Sequence, residues 1–102
     1  QDSDFWRVKI AYGEEKIRFR MLKNWRFKEL VQEVVRRFNI GDMDGFHIKY
    51  LDDDSEWVLL TCDADLDECI DICRSSQRQT IKLALQISVC HLRSSVGSNS
   101  QL

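Results

Sequence analysis

Phe46-His47-Ile48-Lys49-Tyr50-Leu51-Asp52-Asp53-Asp54-Ser55-Glu56-Trp57-Val58-Leu59-Leu60-Thr61-Cys62-Asp63-Ala64-Asp65-Leu66-Asp67-Glu68-Cys69 is the stretch that decides the reading of this 102-residue chain. Phe46, Ile48 and Tyr50 alternate with less apolar residues, the period of a strand. Asp52-Asp53-Asp54-Ser55 turns the chain, and residues 57–60 read as a short returning strand. Thr61 or Asp63 then caps a helix whose apolar stripe is Leu66, Cys69, Ile70 and Cys73. Nine acidic residues and no Lys or Arg lie between Asp52 and Asp71. Acidic residues suit a helix N-terminus because of its partial positive charge, which accounts for Asp63, Asp65 and Asp67 but not for the cluster at the turn.

Working outward, the charge reverses. Residues 7–37 carry ten Lys or Arg against four Glu, so a formal net charge of -2 hides a dipolar chain. Such asymmetry points to recognition rather than to chemistry. Val8, Ile10 and Tyr12 alternate with Arg7, Lys9 and Ala11. After Gly13-Glu14-Glu15, Ile17, Phe19 and Met21 alternate with Lys16, Arg18 and Arg20. Two alternating runs around a short turn predict an antiparallel hairpin with Lys9, Arg18 and Arg20 on its wet face. Like charges so placed cost energy unless an acidic partner answers them.

Phe27, Leu30, Val31, Val34, Val35 and Phe38 form one helical stripe, with Asn24 as the expected N-cap and Asn39 and Gly41 as stops. Residues 80–87 place Ile81, Leu83, Leu85 and Ile87 on one side of a last strand. The order strand, strand, helix, strand, strand, helix, strand predicts an α+β fold, a mixed sheet with helices on one face. It is the order of a ubiquitin-like β-grasp. One domain is expected over residues 6–87, after an N-terminal tail at 1–5 and before a flexible serine-rich tail at 88–102.

Composition excludes several classes. With 43% hydrophobic and 31% charged residues the chain suits a soluble domain. No apolar run approaches the ~20 residues of a membrane span. No basic segment followed by an apolar stretch opens the chain, so a secretory leader is not expected. Cys62, Cys69, Cys73 and Cys90 fit no zinc spacing, and Cys69 and Cys73 read as small buried thiols of a reducing compartment. His47 and His91 lack a nucleophile arrangement, and no glycine-rich phosphate loop occurs, so catalysis is not expected. Counted from Asp52, the sixth and twelfth positions are Trp57 and Asp63, not the Gly and Glu of a calcium loop, so no metal or cofactor is expected.

The run from Tyr50 to Cys69 resembles the acidic OPCA motif of the Phox-and-Bem-one domain family, and Val8-Lys9-Ile10 resembles that family's first strand with its single key lysine. Ser55 departs from the pattern, which usually has Gly there. Lys49-Tyr50-Leu51-Asp52-Asp53-Asp54, the run from Glu56 to Leu66 and Arg74-Ser75-Ser76-Gln77 are further similar to the C-terminal domain of plant nodule-inception-like transcription factors.

The resemblance implies an interaction module with two faces. Family members carry the lysine, the acidic motif or both, and this chain has both. Lys9 is expected to insert among Asp52, Asp54 and Glu56 of a second copy, and Arg18 and Arg20 to reach Asp63, Asp65 or Asp67. Partners would be the chain itself and related Phox-and-Bem-one domains, joined head to tail, with no membrane or small-molecule substrate. DNA contact would belong to a separate RWP-RK domain, and the location would be the nucleus, with shuttling to the cytoplasm. The rival reading gives the basic face to an unrelated acidic partner or to nucleic acid, without self-association.

Overall fold

A computed structural model describes residues 4–88. Residues 1–3 of the expected N-terminal tail, and all of the expected C-terminal tail but Ser88, lie outside the described residues, Cys90 and His91 among them. The elements are β1 (Phe5–Tyr12), β2 (Glu15–Leu22), α1 (Phe27–Phe38), β3 (Gly45–Leu51), β4 (Trp57–Leu60), α2 (Asp63–Ser75) and β5 (Thr80–Ser88). The strands form one mixed sheet in the order β2-β1-β5-β3-β4. β5 runs parallel to β1 and antiparallel to β3. The last strand therefore joins two hairpins that are distant in sequence, and its alternating apolar side chains make that central position stable.

Alternation decides which face is covered. Val8, Ile10, Phe19, Met21, Ile48, Tyr50, Leu60, Ile81, Leu83 and Leu85 are buried and share one core with Leu30 and Val34 of α1 and Leu66, Cys69 and Cys73 of α2. Both helices thus cover one face and leave the other open, as the period-2 pattern predicts.

The helix caps depart from expectation. α1 begins at Phe27 with Arg26, not Asn24, in the N-cap position. An arginine side chain offers no acceptor, so the first turn borrows its partners. The Arg26 N–H donates to Glu29 Oε1 at 2.8 Å, and the Phe27 N–H donates to Asp63 Oδ1 of α2 at 2.8 Å. α2 is capped by Cys62 rather than by Thr61 or Asp63. Asp65 reaches back instead, accepting from the Thr61 N–H at 2.8 Å and the Thr61 hydroxyl at 2.6 Å. At the far end of α1, Asn39 adopts the left-handed conformation expected of a stop, φ 57°.

Candidate functional site: a row of cations and an acidic turn

The hairpin register sets Lys9 directly opposite Arg18 and Arg7 opposite Arg20. On the other side of β1, Lys9 stands opposite Lys82 of β5. A row Arg18–Lys9–Lys82 therefore crosses three neighbouring strands on the open face. No ion pair answers any of the three among the described residues. Arg20 and Arg7 differ, since both lie over the ring of Phe5, at 4.5 and 5.8 Å. Sequence reasoning placed Lys9, Arg18 and Arg20 on one face but missed Lys82. Its alternation was legible, yet its alignment with Lys9 depends on parallel pairing between strands more than seventy residues apart. Cross-strand like charges cost roughly 0.2–1 kcal/mol each, so the row is a standing demand for carboxylates.

The acidic turn joins β3 to β4. Asp52 Oδ1 accepts from the N–H groups of Asp54 and Glu56, each at 2.9 Å, and the Asp52 N–H donates to the Glu56 carbonyl at 2.9 Å. These bonds fold the loop around one carboxylate and crowd the others together. Oxygens of Asp52, Asp53 and Asp54 lie within 4.8 Å of one another, so these are the residues that could hold a cation or an ammonium group. Asp53, Asp54 and Glu56 have no ion-pair partner among the described residues. Ser55 takes φ 62°, the left-handed region where a side chain costs energy and glycine does not. Ser55→Gly is therefore expected to raise the unfolding free energy by about 0.5–1 kcal/mol in urea titration, with the turn geometry kept.

Arg78 fixes this turn from beneath. Its guanidinium donates from Nη1 to the Leu51 carbonyl at 2.6 Å and from Nη2 to the Asp52 carbonyl at 2.7 Å. The residue is aimed by the end of α2. Gln77 is left-handed, φ 58°, and the Arg78 N–H donates back to the Cys73 carbonyl at 2.9 Å, a Schellman closure without glycine. Cys69 and Cys73 are buried, as expected. The Cys73 thiol is held below its ordinary range by its hydrogen bond with Cys69 and by Arg78, against its burial.

The second acidic group is built differently. Asp63 faces Arg26 at 3.5 Å as well as the Phe27 N–H, and Asp67 faces Arg26 at 3.4 Å. Asp65 is taken up by Thr61. The six expected carboxylates thus fall into two sets: exposed Asp54 and Glu56 and half-buried Asp52 have no cation partner among the described residues, while Asp63, Asp65 and Asp67 already have work inside the chain. The Thr61 hydroxyl and then the Thr61 N–H hold the Asp65 carboxyl below the usual carboxylate range. Its unfolded form binds a proton more readily, so stability rises with pH between the two values. The contribution is complete above the ordinary carboxylate range and is lost as pH falls through the lowered folded value. Urea unfolding of Asp65→Asn is expected to give a flatter acid limb than the unaltered chain, and an identical limb would refute this role.

Arg18 and Lys9 lie away from the turn, whereas Lys82 stands on β5 next to β3, where the antiparallel register that pairs Tyr50 with Leu83 brings it beside Leu51, one residue before Asp52. Lys9 lies in β1, whereas Asp52 follows the end of β3, with β5 between the two strands. Two strand spacings, about 10 Å, separate them across the sheet. Among the described residues no ion pair joins the cationic row to the acidic turn within the chain. Nor is any helix there long and apolar enough to cross a membrane.

Comparison with known proteins agrees with this architecture. The profile of the family described as "PB1 domain" matches residues 5–88. Protein NLP2 of Arabidopsis thaliana is 56% identical over 93 residues, covering 90% of this chain and 10% of that protein. Protein NLP1 of Oryza sativa subsp. japonica is 49% identical over 87 residues, covering 85% and 9%. The chain thus spans about a tenth of the length of the curated relatives it matches. Among solved structures, the PB1 domain of Cdc24p in its long form superposes with a TM-score of 0.72 at 18% identity, covering 81% of this chain and 97% of that one. The AtNBR1-PB1 filament subunit (L-type), seen by cryo-electron microscopy, gives a TM-score of 0.67 at 24% identity, covering 84% and 100%. At those identities the two structures speak to the fold alone.

Proposed function

This chain belongs to the PB1 domain family, and from that premise we propose that it is a two-faced interaction module that links copies of itself, and related PB1 domains, head to tail. Lys9 of one copy docks among Asp52, Asp54 and Glu56 of the next, with Arg18 and Arg20 beside it. Asp63, Asp65 and Asp67 form the margin of the acidic face, within reach of Arg18 and Arg20 only where their internal bonds yield. The observation that carries this reading is the pair of unanswered charge sets, a cationic row on β2, β1 and β5 and an open acidic turn after β3.

The interface uses different patches on the two partners, so it closes into a ring only if the rotation per copy permits and otherwise propagates. Where it does not close, the expected product is an open chain of copies. A single exposed ion pair is worth ~0–1 kcal/mol, so assembly needs the whole network. The module serves as the oligomerising part of a nodule-inception-like transcription factor in the nucleus, where a separate RWP-RK domain contacts DNA. It acts by recognition and not by catalysis.

Light scattering across a dilution series tests the reading. The average mass is expected to rise with concentration in dilute buffer and to collapse toward a single copy in 1 M salt, where the Debye length is about 3 Å. A mass that stays at one copy in dilute buffer at millimolar concentration would remove the proposal.

A further inference from the structure

The edge of the open face beside the acidic turn is apolar. Leu51 and Trp57 face each other across β3 and β4, and Leu59 stands opposite Lys49 in the next outward row. Trp57 is 49% exposed and Leu59 is 46% exposed. β4 is the last strand on that side, so no further strand of the described residues pairs with it. The chain treats its tryptophans unequally. Trp6 has Lys23 and Arg74 over its ring, at 5.3 and 5.6 Å, whereas no cation stands over Trp57 among the described residues.

We infer that Trp57 is the apolar anchor of the copy-to-copy contact, with the guanidinium of Arg18 from a second copy stacked on its ring. The inference rests on the head-to-tail reading and adds to it a residue outside both charge sets. Spacing supports the match. Lys9 and Arg18 are direct cross-strand neighbours, about 5 Å apart. Trp57 follows Glu56 in the chain, so the indole adjoins the acidic hollow as Arg18 adjoins Lys9. A lysine entering the turn therefore brings its arginine over the indole. Arg20 suits this less, because Phe5 already holds it.

Energetics point the same way. Exposed ion pairs fix register but contribute little, whereas interface energy concentrates in Trp, Tyr and Arg that lose water on binding. Arginine over tryptophan contributes about 0.5–2 kcal/mol as it is desolvated. The second copy is the occupant because its carboxylate-seeking face and this strip must arrive together. An acidic partner would be repelled by Asp52, Asp54 and Glu56 at the same margin.

The test uses copies restricted to one dimer. One copy carries Lys9→Ala and offers only its acidic face, and the other carries Asp52→Ala/Asp54→Ala and offers only its basic face. Trp57→Ala in the first copy is expected to weaken the dimer about tenfold in isothermal titration. In the second copy it should leave the affinity unchanged, and an unaltered melting curve there shows that the variant folds. Arg18→Ala in the second copy should weaken binding to the unaltered tryptophan but add little once Trp57 is gone. Affinity that ignores Trp57 in the first copy, or falls equally from either copy, overturns the inference while head-to-tail pairing stands. Failure of the two parental copies to dimerise overturns the head-to-tail reading itself, and the inference with it.

Discussion

Lys9→Ala is expected to leave the chain as single copies at concentrations where the unaltered chain assembles, and adding the Asp52→Ala/Asp54→Ala variant is expected to restore one dimer and nothing larger. The size of the effect follows from what the lysine leaves behind. In the proposed docking among Asp52, Asp54 and Glu56 of the next copy, its ammonium would offset three carboxylates that otherwise repel one another. Removing it deletes several exposed pairs of the network at once, a loss of about 1–3 kcal/mol, or some fivefold to 150-fold in affinity. Within the fold the sign reverses. Lys9 stands between Arg18 and Lys82, so removing it relieves like-charge contacts and is expected to raise stability by a few tenths of a kcal/mol. Loss of assembly with unchanged or higher stability separates an interface residue from a structural one. Sedimentation velocity of each variant and of the mixture checks the assembly, and urea titration checks the fold. A mixture that stays monomeric, with both variants folded, would end the two-face scheme.

Arg78→Ala is expected to lower the unfolding free energy by about 2–4 kcal/mol in urea titration. Two charge-assisted bonds to the Leu51 and Asp52 carbonyls vanish together, each worth about 1.5–3 kcal/mol, and water reaching the turn offsets part of that. Arg78→Lys keeps the charge but not the fork that spans two carbonyls, so it should recover less than half of the loss. The effect also travels to function. With its backbone unclamped, the turn no longer presents Asp54 and Glu56 at fixed spacing. In the complementation assay Arg78→Ala should weaken the dimer when placed in the copy that offers the acidic face. Placed in the copy that offers the basic face, it should leave affinity unchanged at a temperature where both are folded. Equal weakening from either position would mean that Arg78 stabilises the fold without shaping the site.

Arg78 also marks where reading the chain stops short. It was an unremarkable basic residue after a helix, since nothing in Arg74-Ser75-Ser76-Gln77 signals a left-handed closure at Gln77. Ser55 is the opposite case. Its place in a family pattern that favours Gly is legible, and its positive φ supplies the cause. The caps lie between these extremes. Asn24 has the right chemistry for an N-cap but the helix starts three residues later, where Glu29 accepts from the Arg26 N–H and Asp63 of α2 from the Phe27 N–H, so the first turn is served without Asn24.

The sequence alone determined the strands, the two hairpins, the apolar stripes of both helices and the sign of charge on each segment. Those features depend on side-chain periodicity and on neighbours a few residues away, which a linear reading contains. Tertiary structure decided that Lys82 joins Lys9 and Arg18, that Asp63, Asp65 and Asp67 are engaged internally while Asp54 and Glu56 stay open, and that Arg78 grips the turn. Each of these depends on where β5 and α2 come to rest against distant strands. That position is set by the packing of the whole core, and no local pattern encodes it.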